Sequence, residues 1–388
     1  MSEHTPALAG LPAGVVSLAD HEVLARSRLD ANAWAYFSGG AADELTLHAN
    51  LAAWQQQLLQ PRILRDLSGA HTQVTLLGRI LAHPIFLAPV AYQRMAHPDG
   101  EVATACAASA QQAGLVLSTQ ASIRLETVAQ AVVNDLERGP LWFQLYLTPD
   151  RAFNRDLVQR AERAGYEALV VTVDAPVNGA RDRERRVGFR LPPGVSAVNL
   201  AGLPPVPAST QVPGQSALCG GLLQAATSWA DIEWLLSQTK LPVLLKGVLH
   251  PEDARQAVQL GVAGLVVSNH GGRTLDTAPT TAAVLPRIRQ VLGADVPLLV
   301  DGGIRRGTDV LKAVALGANA VLIGRPYIYG LANAGALGVA HVLRLLRDEL
   351  EMAMALCGCP RLVPGCDCLF LTERDVPSAP ASKKQENA

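Results

Sequence analysis

Eight short runs of apolar residues recur along the chain, and helical patterns of polar and apolar residues separate them. Each run has the length of a strand, is continuously apolar and is rich in β-branched residues, which is typical of strands buried on both faces of a parallel sheet. The runs lie at residues 84–88, 115–118, 141–145, 168–174, 242–246, 264–268, 297–301 and 320–324. The pattern therefore predicts repeated strand–helix units.

Glycines mark the ends of several helical patterns. A helix often ends at a residue in the left-handed conformation, which glycine adopts without steric cost. We predict helices over residues 156–164, 253–260 and 310–316, each closed by the glycine that follows it, namely Gly165, Gly261 and Gly317.

Eight strand–helix units predict an α/β fold, a closed (β/α)8 TIM barrel, rather than an open sheet. Nearly every apolar run also ends in polar residues, and in a barrel the carboxyl ends of all the strands meet on one face. These polar residues are Gln144, Thr172, Asp174, Lys246, Ser268, His270, Asp301 and Arg325. We therefore expect the functional site at that face.

Two regions fall outside the repeat. Amphipathic spacing at residues 19–29 and 43–59 predicts an N-terminal helical cap over residues 1–80. Residues 191–226, after the fourth strand, are rich in Pro, Gly and Ser and too long for an ordinary connection, so we expect either a lid or a disordered segment. We predict one domain over residues 1–388, with the barrel at 81–360 and a disordered polar tail at 377–388.

Composition supports a large core and excludes some partners. Of the 388 residues, 49% are hydrophobic and 17% charged, and the net charge is −1. This balance offers no basic surface for nucleic acid or acidic membranes. The first residues lack the pattern of a signal peptide, and we expect no apolar stretch long enough to span a bilayer. We therefore expect a soluble cytoplasmic protein with no nucleic-acid or membrane partner.

Four of the six cysteines form a Cys-x-Cys…Cys-x-Cys cluster, which comprises Cys357, Cys359, Cys366 and Cys368. Such a cluster could hold a metal. The spacing is tighter than that of structural zinc sites, however, and no histidine lies nearby. We therefore expect reduced thiols and no metal site.

The run at residues 264–267 leads directly to His270 and Arg273 in a glycine-rich turn. Histidine can accept a proton near neutral pH, and an arginine can bind a carboxylate through two parallel hydrogen bonds. The pair indicates proton abstraction from a small organic acid. The alternative is a surface turn that carries these residues by chance.

The ends of the seventh and eighth strands are typical of a phosphate site. Gly302, Gly303 and Gly324 allow backbone N–H groups to approach a phosphate, and Arg305 and Arg325 add charge and donors. Ordinary barrel turns are the alternative, but both loops carry the same combination.

Lys246 ends a fully apolar run, so it requires an anionic partner or must lose its charge. Lysines that form Schiff bases also lie at strand ends, which keeps an aldolase as an alternative. The neighbouring phosphate signal favours a cofactor contact instead.

Several motifs together resemble the FMN-dependent α-hydroxy-acid oxidases and dehydrogenases, the group of glycolate oxidase, lactate oxidase and mandelate dehydrogenase. The resemblance covers residues 18 to 359, with its motifs at 88–93, 96–101, 172–176, 268–273, 301–309 and 324–326. It implies bound FMN and oxidation of an (S)-2-hydroxy acid to the 2-oxo acid. The electrons would pass to O2, giving H2O2, or in a dehydrogenase to a quinone or cytochrome. It also implies a homotetramer or octamer.

The resemblance assigns roles to individual residues. His270 resembles the catalytic base and Asp174 its carboxylate partner, whereas Arg181, Arg273, Tyr36 and Tyr146 resemble the substrate-binding groups. Lys246 resembles the lysine near N1 and O2 of the flavin. The remaining FMN-binding residues would be Pro89, Val90, Ala91, Ser118, Gln144, Thr172, Ser268, Asp301, Gly302, Gly303, Arg305, Gly324 and Arg325.

The chain also departs from the family pattern. Gln120 stands where glycolate-oxidase-like members carry Trp, Phe37 where several relatives have a second Tyr, and Asn178 at a position that is often apolar. We therefore expect a substrate other than glycolate. Of the charged run at residues 181–186, only Arg181 is expected at the site, because such runs are usually solvated. A third hypothesis is a barrel that binds FMN without turnover.

Overall fold

The fold is that of a computed structural model, which describes residues 11–203, 226–365 and 369–372. The tail predicted at 377–388, Cys366, Cys368 and residues 204–225 of the predicted lid or disordered segment lie outside the described residues.

Between residue 11 and the barrel lie three helices and three short strands. The helices are α1 (Leu18–Arg28), α2 (Ala31–Ser38) and α3 (Leu45–Gln55). Side chains cap the N-termini of α1 and α2. The Ser17 side chain accepts a hydrogen bond from Asp20 N, and the Asp30 side chain accepts one from Ala33 N. The strands are β1 (Gln57–Leu59), β2 (Val74–Leu76) and β3 (Arg79–Leu81).

The helix expected over residues 43–59 is shorter than predicted. It begins only after Glu44, whose φ is 64°, and it ends at Gln55. The next residues form β1, which pairs antiparallel with β12 (Leu369–Thr372) near the other end of the chain. A local pattern cannot reveal a strand whose partner is so distant in sequence.

Eight parallel strands close into a barrel, which confirms the predicted TIM-barrel fold. Each predicted apolar run overlaps one strand, and the last of these strands pairs with the first to close the sheet. The strands are β4 (Ile85–Leu87), β5 (Gly114–Leu117), β6 (Leu141–Leu145), β7 (Ala168–Thr172), β8 (Val243–Val248), β9 (Gly264–Val267), β10 (Leu298–Val300) and β11 (Ala320–Ile323).

Helices lie around the barrel and in its loops. They are α4 (Gly100–Ala110), α5 (Leu125–Gln130), α6 (Arg151–Ala164), α7 (Asp182–Arg186), α8 (Trp229–Leu236), α9 (Pro251–Gln259), α10 (Thr281–Leu292), α11 (Gly307–Ala315) and α12 (Arg325–Cys357). The three glycines predicted to follow helices have φ of 88°, 96° and 106°. These positive values confirm the predicted helix ends.

Alternating strand residues build two cores. One face of each strand packs under the helices, and the other fills the barrel, where the rings of Phe86 and Trp142 lie 4.7 Å apart. Gly114 leaves room for Phe86, because a Cβ there would lie 2.1 Å from its ring. Leu76 and Leu81 of the β2–β3 hairpin join the inner cluster. The hairpin therefore closes the end of the barrel opposite the polar strand ends.

Helix α12 is long and apolar enough to cross a membrane. The expectation that the chain has no apolar stretch of this length was therefore wrong. By burial, however, α12 is a core helix, since 56% of its most apolar window is buried within the protein. It packs against α1, α4 and α11, and Ala334 and Gly335 interrupt its helical geometry. Its apolar surface therefore serves the packing of the barrel.

The expectation of reduced thiols in the cysteine cluster is wrong for Cys359, which is disulfide-bonded. A disulfide requires two Cα atoms to approach within about 7 Å, and residue spacing alone does not reveal that approach. Cys106, outside the cluster, is a free and exposed cysteine.

Buried histidines should make the stability of the protein fall in acid. His83 is buried, its Nδ1 accepts a hydrogen bond from Ile85 N, and its Nε2 lies 2.8 Å from Gln111 O. These partners assign a neutral ring with its proton on Nε2. Burial lowers the pKa of His83 from 6.5 to about 4. The unfolded state therefore binds more protons as the pH falls through this window.

Because the folded protein keeps His83 neutral, we expect the free energy of unfolding to fall by up to about 3 kcal/mol as the pH is lowered from 6.5 to below 4. This magnitude corresponds to about 1.4 kcal/mol per pKa unit. Urea denaturation across this range measures the decline. His83→Gln should make the decline shallower, whereas His48→Gln, at an exposed position, should not change it. The same pH dependence in both variants would contradict the assignment.

Candidate active site

A cavity of about 670 Å³ opens at the carboxyl ends of the barrel strands, where the polar residues were predicted to meet. Its volume is in the range of small-molecule and cofactor sites. Tyr36, Tyr146, Arg181, His270 and Arg273 line it. So do most of the predicted cofactor residues, namely Pro89, Val90, Ala91, Ser118, Thr172, Lys246, Asp301, Gly302, Gly303, Arg305, Gly324 and Arg325.

His270 and Asp174 form a hydrogen-bonded pair, with 2.7 Å between Nδ1 and Oδ1. Burial raises the pKa of Asp174, but the interactions with His270 outweigh it and leave the pKa below its usual value. Asp174 therefore stays ionised and assigns the proton of His270 to Nδ1. The Nε2 atom is left as the acceptor for a proton.

A glycine in β8 makes this pair sterically feasible. Gly247 has a φ of 109°, and a Cβ at this position would lie 2.4 Å from the Cβ of Asp174. A side chain at residue 247 would therefore push Asp174 away from His270. The requirement comes from two neighbouring strands, so the local sequence does not reveal it.

His270 sits in a strained turn. Its φ is 57°, and Gly271 and Gly272 continue the left-handed conformation with φ of 62° and 71°. A non-glycine residue in this region costs about 1–3 kcal/mol and persists where the surrounding structure enforces it, often at functional sites. The N–H of His270 donates to Ser268 Oγ at 3.0 Å. This bond helps to hold the imidazole at the strand end.

Arg273 is fixed by the N-terminal helices. Its Nη1 donates to the carbonyl oxygens of Tyr36 and Gly39 at 2.6 and 2.9 Å, and its guanidinium lies 5.0 Å from the centre of the Tyr36 ring. Arg181 contacts Asn178, while its Nε is buried without a partner in the protein. Two guanidinium groups with an unsatisfied donor form a suitable site for a carboxylate.

Two partly buried phenols lie beside the arginines. Burial raises the pKa of Tyr36 to about 12 and also raises the pKa of Tyr146, so both stay protonated near neutral pH and can donate hydrogen bonds. The Tyr36 ring stacks on Phe189 at 5.0 Å and meets the edge of Tyr92 at 5.9 Å. Phe189 and Tyr92 line the cavity but were not among the predicted site residues.

Lys246 has the anionic partner that its buried position requires. Its Nζ lies 3.0 Å from Asp301 Oδ2 and 2.8 Å from Ser268 Oγ. Burial lowers the pKa of Lys246, but Asp301 and Asp174 outweigh it and leave the pKa raised. Lys246 is therefore an ammonium ion, whereas a Schiff-base lysine must lose its proton. This geometry disfavours the aldolase alternative.

Two predicted cofactor residues do not line the cavity, because they lie behind residues that do. Ser268 is fully buried and accepts from Lys246. Gln144 Oε1 accepts from Ser118 Oγ and Thr119 N, both at 3.2 Å, but its Nε2 is buried without a partner. Ser268 therefore supports other groups, whereas Gln144 keeps a free donor.

The residues present fit a flavin mononucleotide. The unpartnered buried atoms include Gln144 Nε2, Asp301 Oδ1 and Arg325 Nε, and such atoms cost about 1–3 kcal/mol each unless a ligand satisfies them. Burial, followed by Arg273 and Arg305, lowers the pKa of Arg325 to about 9, and a bound anion would relieve this cost. In FMN, the carbonyl oxygens of the flavin ring suit the amide of Gln144, the ribityl hydroxyls suit Asp301, and the phosphate suits the arginine.

The charged run at residues 181–186 was expected to be solvated apart from Arg181, and this was wrong for Glu184, whose side chain is only 14% exposed and lines the cavity. Arg183 pairs with Glu44 but keeps a side chain that is 38% exposed. Arg185 and Arg186 are solvated as expected, at 71% and 75% exposure. The i, i+3 spacing of Arg181 and Glu184 was the available signal.

Residues 25–363 match the family of FMN-dependent dehydrogenases. The chain belongs to this family. The chain is 49% identical to an L-lactate oxidase of Alicycliphilus denitrificans, over 91% of the chain and 95% of the relative. It is 42% identical to glycolate oxidase 1 of Zea mays, over 95% and 99%.

Solved structures agree with the family assignment. A crystal structure of mandelate oxidase with (S)-2-phenylpropionate has a TM-score of 0.81 and 43% identity, covering 89% of this chain and 96% of its own. Another mandelate oxidase structure contains a C4a-OH-FMN adduct. The predicted family, the FMN cofactor and the oxidation of a 2-hydroxy acid are confirmed, and the oxidase is favoured over the dehydrogenase.

Proposed function

We propose that this FMN enzyme oxidises an (S)-2-hydroxy acid of the lactate type to its 2-oxo acid. Three L-lactate oxidases, 46–49% identical to the chain, support this substrate class. The observation that carries the proposal is that His270, which is hydrogen-bonded to Asp174, lines one cavity together with Arg181 and Arg273. It combines a base with a site for a carboxylate.

Binding orients the substrate. Arg273 and the unpartnered Nε of Arg181 bind its carboxylate, and the phenols of Tyr36 and Tyr146 donate hydrogen bonds to its oxygens. Because Arg273 is already held by two backbone carbonyls, little side-chain entropy is lost when the substrate binds.

His270 then removes a proton from the bound substrate. Its Nε2 accepts the proton from either Cα or the hydroxyl, and the two routes share the same base. Asp174 stabilises the imidazolium that forms, at a distance of 2.7 Å. FMN, when bound, would supply the two-electron acceptor and would pass the electrons to O2 to give H2O2.

Gln120 and Asn178 line the cavity and distinguish its substrate end from that of glycolate oxidase. An amide at residue 120 in place of an indole leaves more room for a substrate side chain. This supports a substrate larger than glycolate. We further propose a homotetramer in the cytoplasm, by analogy with the family.

The test is the absorbance spectrum of the purified protein followed by anaerobic addition of glycolate, lactate and mandelate in turn. We expect a flavin spectrum that lactate bleaches. When air is admitted to enzyme reduced with one equivalent of lactate, we expect one equivalent of peroxide per reduced flavin. Bleaching without peroxide would favour a dehydrogenase that uses a quinone or cytochrome. A flavin that no 2-hydroxy acid bleaches would favour a barrel that stores FMN, and a colourless protein that FMN cannot reconstitute would contradict the proposal.

A further inference from the structure

Glu184 lies between the two arginines of the active site and contacts both. Its Oε1 accepts a hydrogen bond from Arg181 Nη1 at 3.4 Å and from Arg273 Nη2 at 3.3 Å. Arg181 precedes α7, whereas Arg273 follows β9, so the two reach Glu184 from separate loops. The carboxylate of Glu184 therefore joins the two halves of the site that binds the substrate carboxylate.

The charges in this part of the cavity balance only when Glu184 is included. Arg181 and Arg273 bring two positive charges into a largely buried site, where their side chains are 19% and 15% exposed. Burial and the neighbouring Arg181 both lower the pKa of Arg273, which reflects the cost of this arrangement. A monocarboxylate substrate supplies one negative charge. Glu184 supplies the second, so neither guanidinium is left uncompensated.

The hydrogen-bonding pattern lets the two arginines contact Glu184 and the substrate carboxylate at the same time. Arg181 uses Nη1 for Glu184 and Nη2 for Asn178, and its buried Nε remains without a partner. In Arg273, Nη1 donates hydrogen bonds to two backbone carbonyls, and Nη2 donates one hydrogen bond to Glu184 and keeps a second N–H. Donors therefore remain on both arginines for a ligand.

We propose that Glu184 is a positioning residue, which holds Arg181 and Arg273 at the spacing that one substrate carboxylate spans. It keeps both contacts when the substrate is bound. This inference rests on the proposed function. The opposite arrangement, in which Glu184 occupies the carboxylate position and the substrate displaces it, would make removal of the charge strengthen binding.

The experiment uses the FMN-loaded enzyme and Glu184→Gln. Pyruvate, the unreactive 2-oxo acid, is titrated against the flavin absorbance to give Kd, and the rate of anaerobic bleaching is measured at saturating lactate. We expect Kd to rise about tenfold, because the amide oxygen of Gln can still accept from both arginines but lacks the negative charge that strengthens both hydrogen bonds. The bleaching rate at saturation should stay near that of the wild type, because His270 and Asp174 are untouched.

Asp182→Asn is the matched control. It removes one negative charge from the same helix, but Asp182 pairs with the exposed Arg185 and Arg186 rather than with the site arginines. Its Kd should equal that of the wild type. Glu184→Asp keeps the charge with a shorter reach, so its Kd should lie between those of the wild type and Glu184→Gln.

An unchanged or lower Kd in Glu184→Gln would overturn the inference. A fall in Tm together with a higher Kd and a slower bleaching rate at saturation would also overturn it, because that pattern indicates a merely structural role. If Glu184→Gln does not fold, Glu184→Asp decides, and a wild-type Kd there would overturn the inference. A wild-type enzyme that no 2-hydroxy acid bleaches would instead refute the proposed function, and the inference with it.

Discussion

Replacement of His270 by alanine lowers the rate of flavin reduction by lactate about a thousandfold or more, while FMN remains bound. A positioned general base typically contributes 10²- to 10⁴-fold, and His270 is the residue whose Nε2 the Asp174 hydrogen bond leaves ready to accept a proton. The FMN contacts come from other strand ends, so the flavin spectrum should persist. Stopped-flow absorbance under anaerobic conditions measures the rate directly.

Two variants control for structural damage at His270. Because its φ is 57°, alanine adds strain at this position, whereas asparagine tolerates the left-handed region better. His270→Asn should therefore be as slow as His270→Ala but closer to the wild type in Tm. His48→Ala, at an exposed position, should leave the rate unchanged. Normal rates in either His270 variant would contradict its assignment as the base.

Substitution of Arg273 by lysine is expected to lower kcat/KM about 10²-fold or more, mainly through a higher KM. The Arg273 guanidinium binds two backbone carbonyls and Glu184 with separate N–H groups, and a single ammonium cannot reproduce these directions. Loss of a buried, hydrogen-bonded charged partner costs about 2–5 kcal/mol, which is consistent with this effect. Steady-state kinetics with lactate provide the measurement.

Arg185→Lys is the matched control for Arg273→Lys, because Arg185 lies in α7 with an exposed side chain. It should retain the wild-type KM and kcat. Unchanged kinetics in Arg273→Lys would show that a point charge suffices at this position. The role of Arg273 as a directional carboxylate clamp would then be wrong.

The sequence by itself determined the barrel and the composition of its site. Continuous apolar runs of strand length that are rich in β-branched residues are typical of strands covered on both faces, and eight of them favour a closed sheet. In such a sheet all carboxyl ends meet, so the polar residues that end the runs had to converge. For this reason His270, Lys246 and Arg325 could be assigned to one cavity before any contact was known.

The tertiary structure alone decided how these groups are paired and held. The approach of Asp174 to His270 depends on the missing side chain of Gly247 in a neighbouring strand. Glu184 looks like part of a solvated charged run until the fold brings Arg273 beside Arg181. Strand β1, which pairs with the distant β12, likewise escaped prediction. The physical reason is common to all of these: each contact joins residues from separate elements, and local periodicity carries no information about a distant partner.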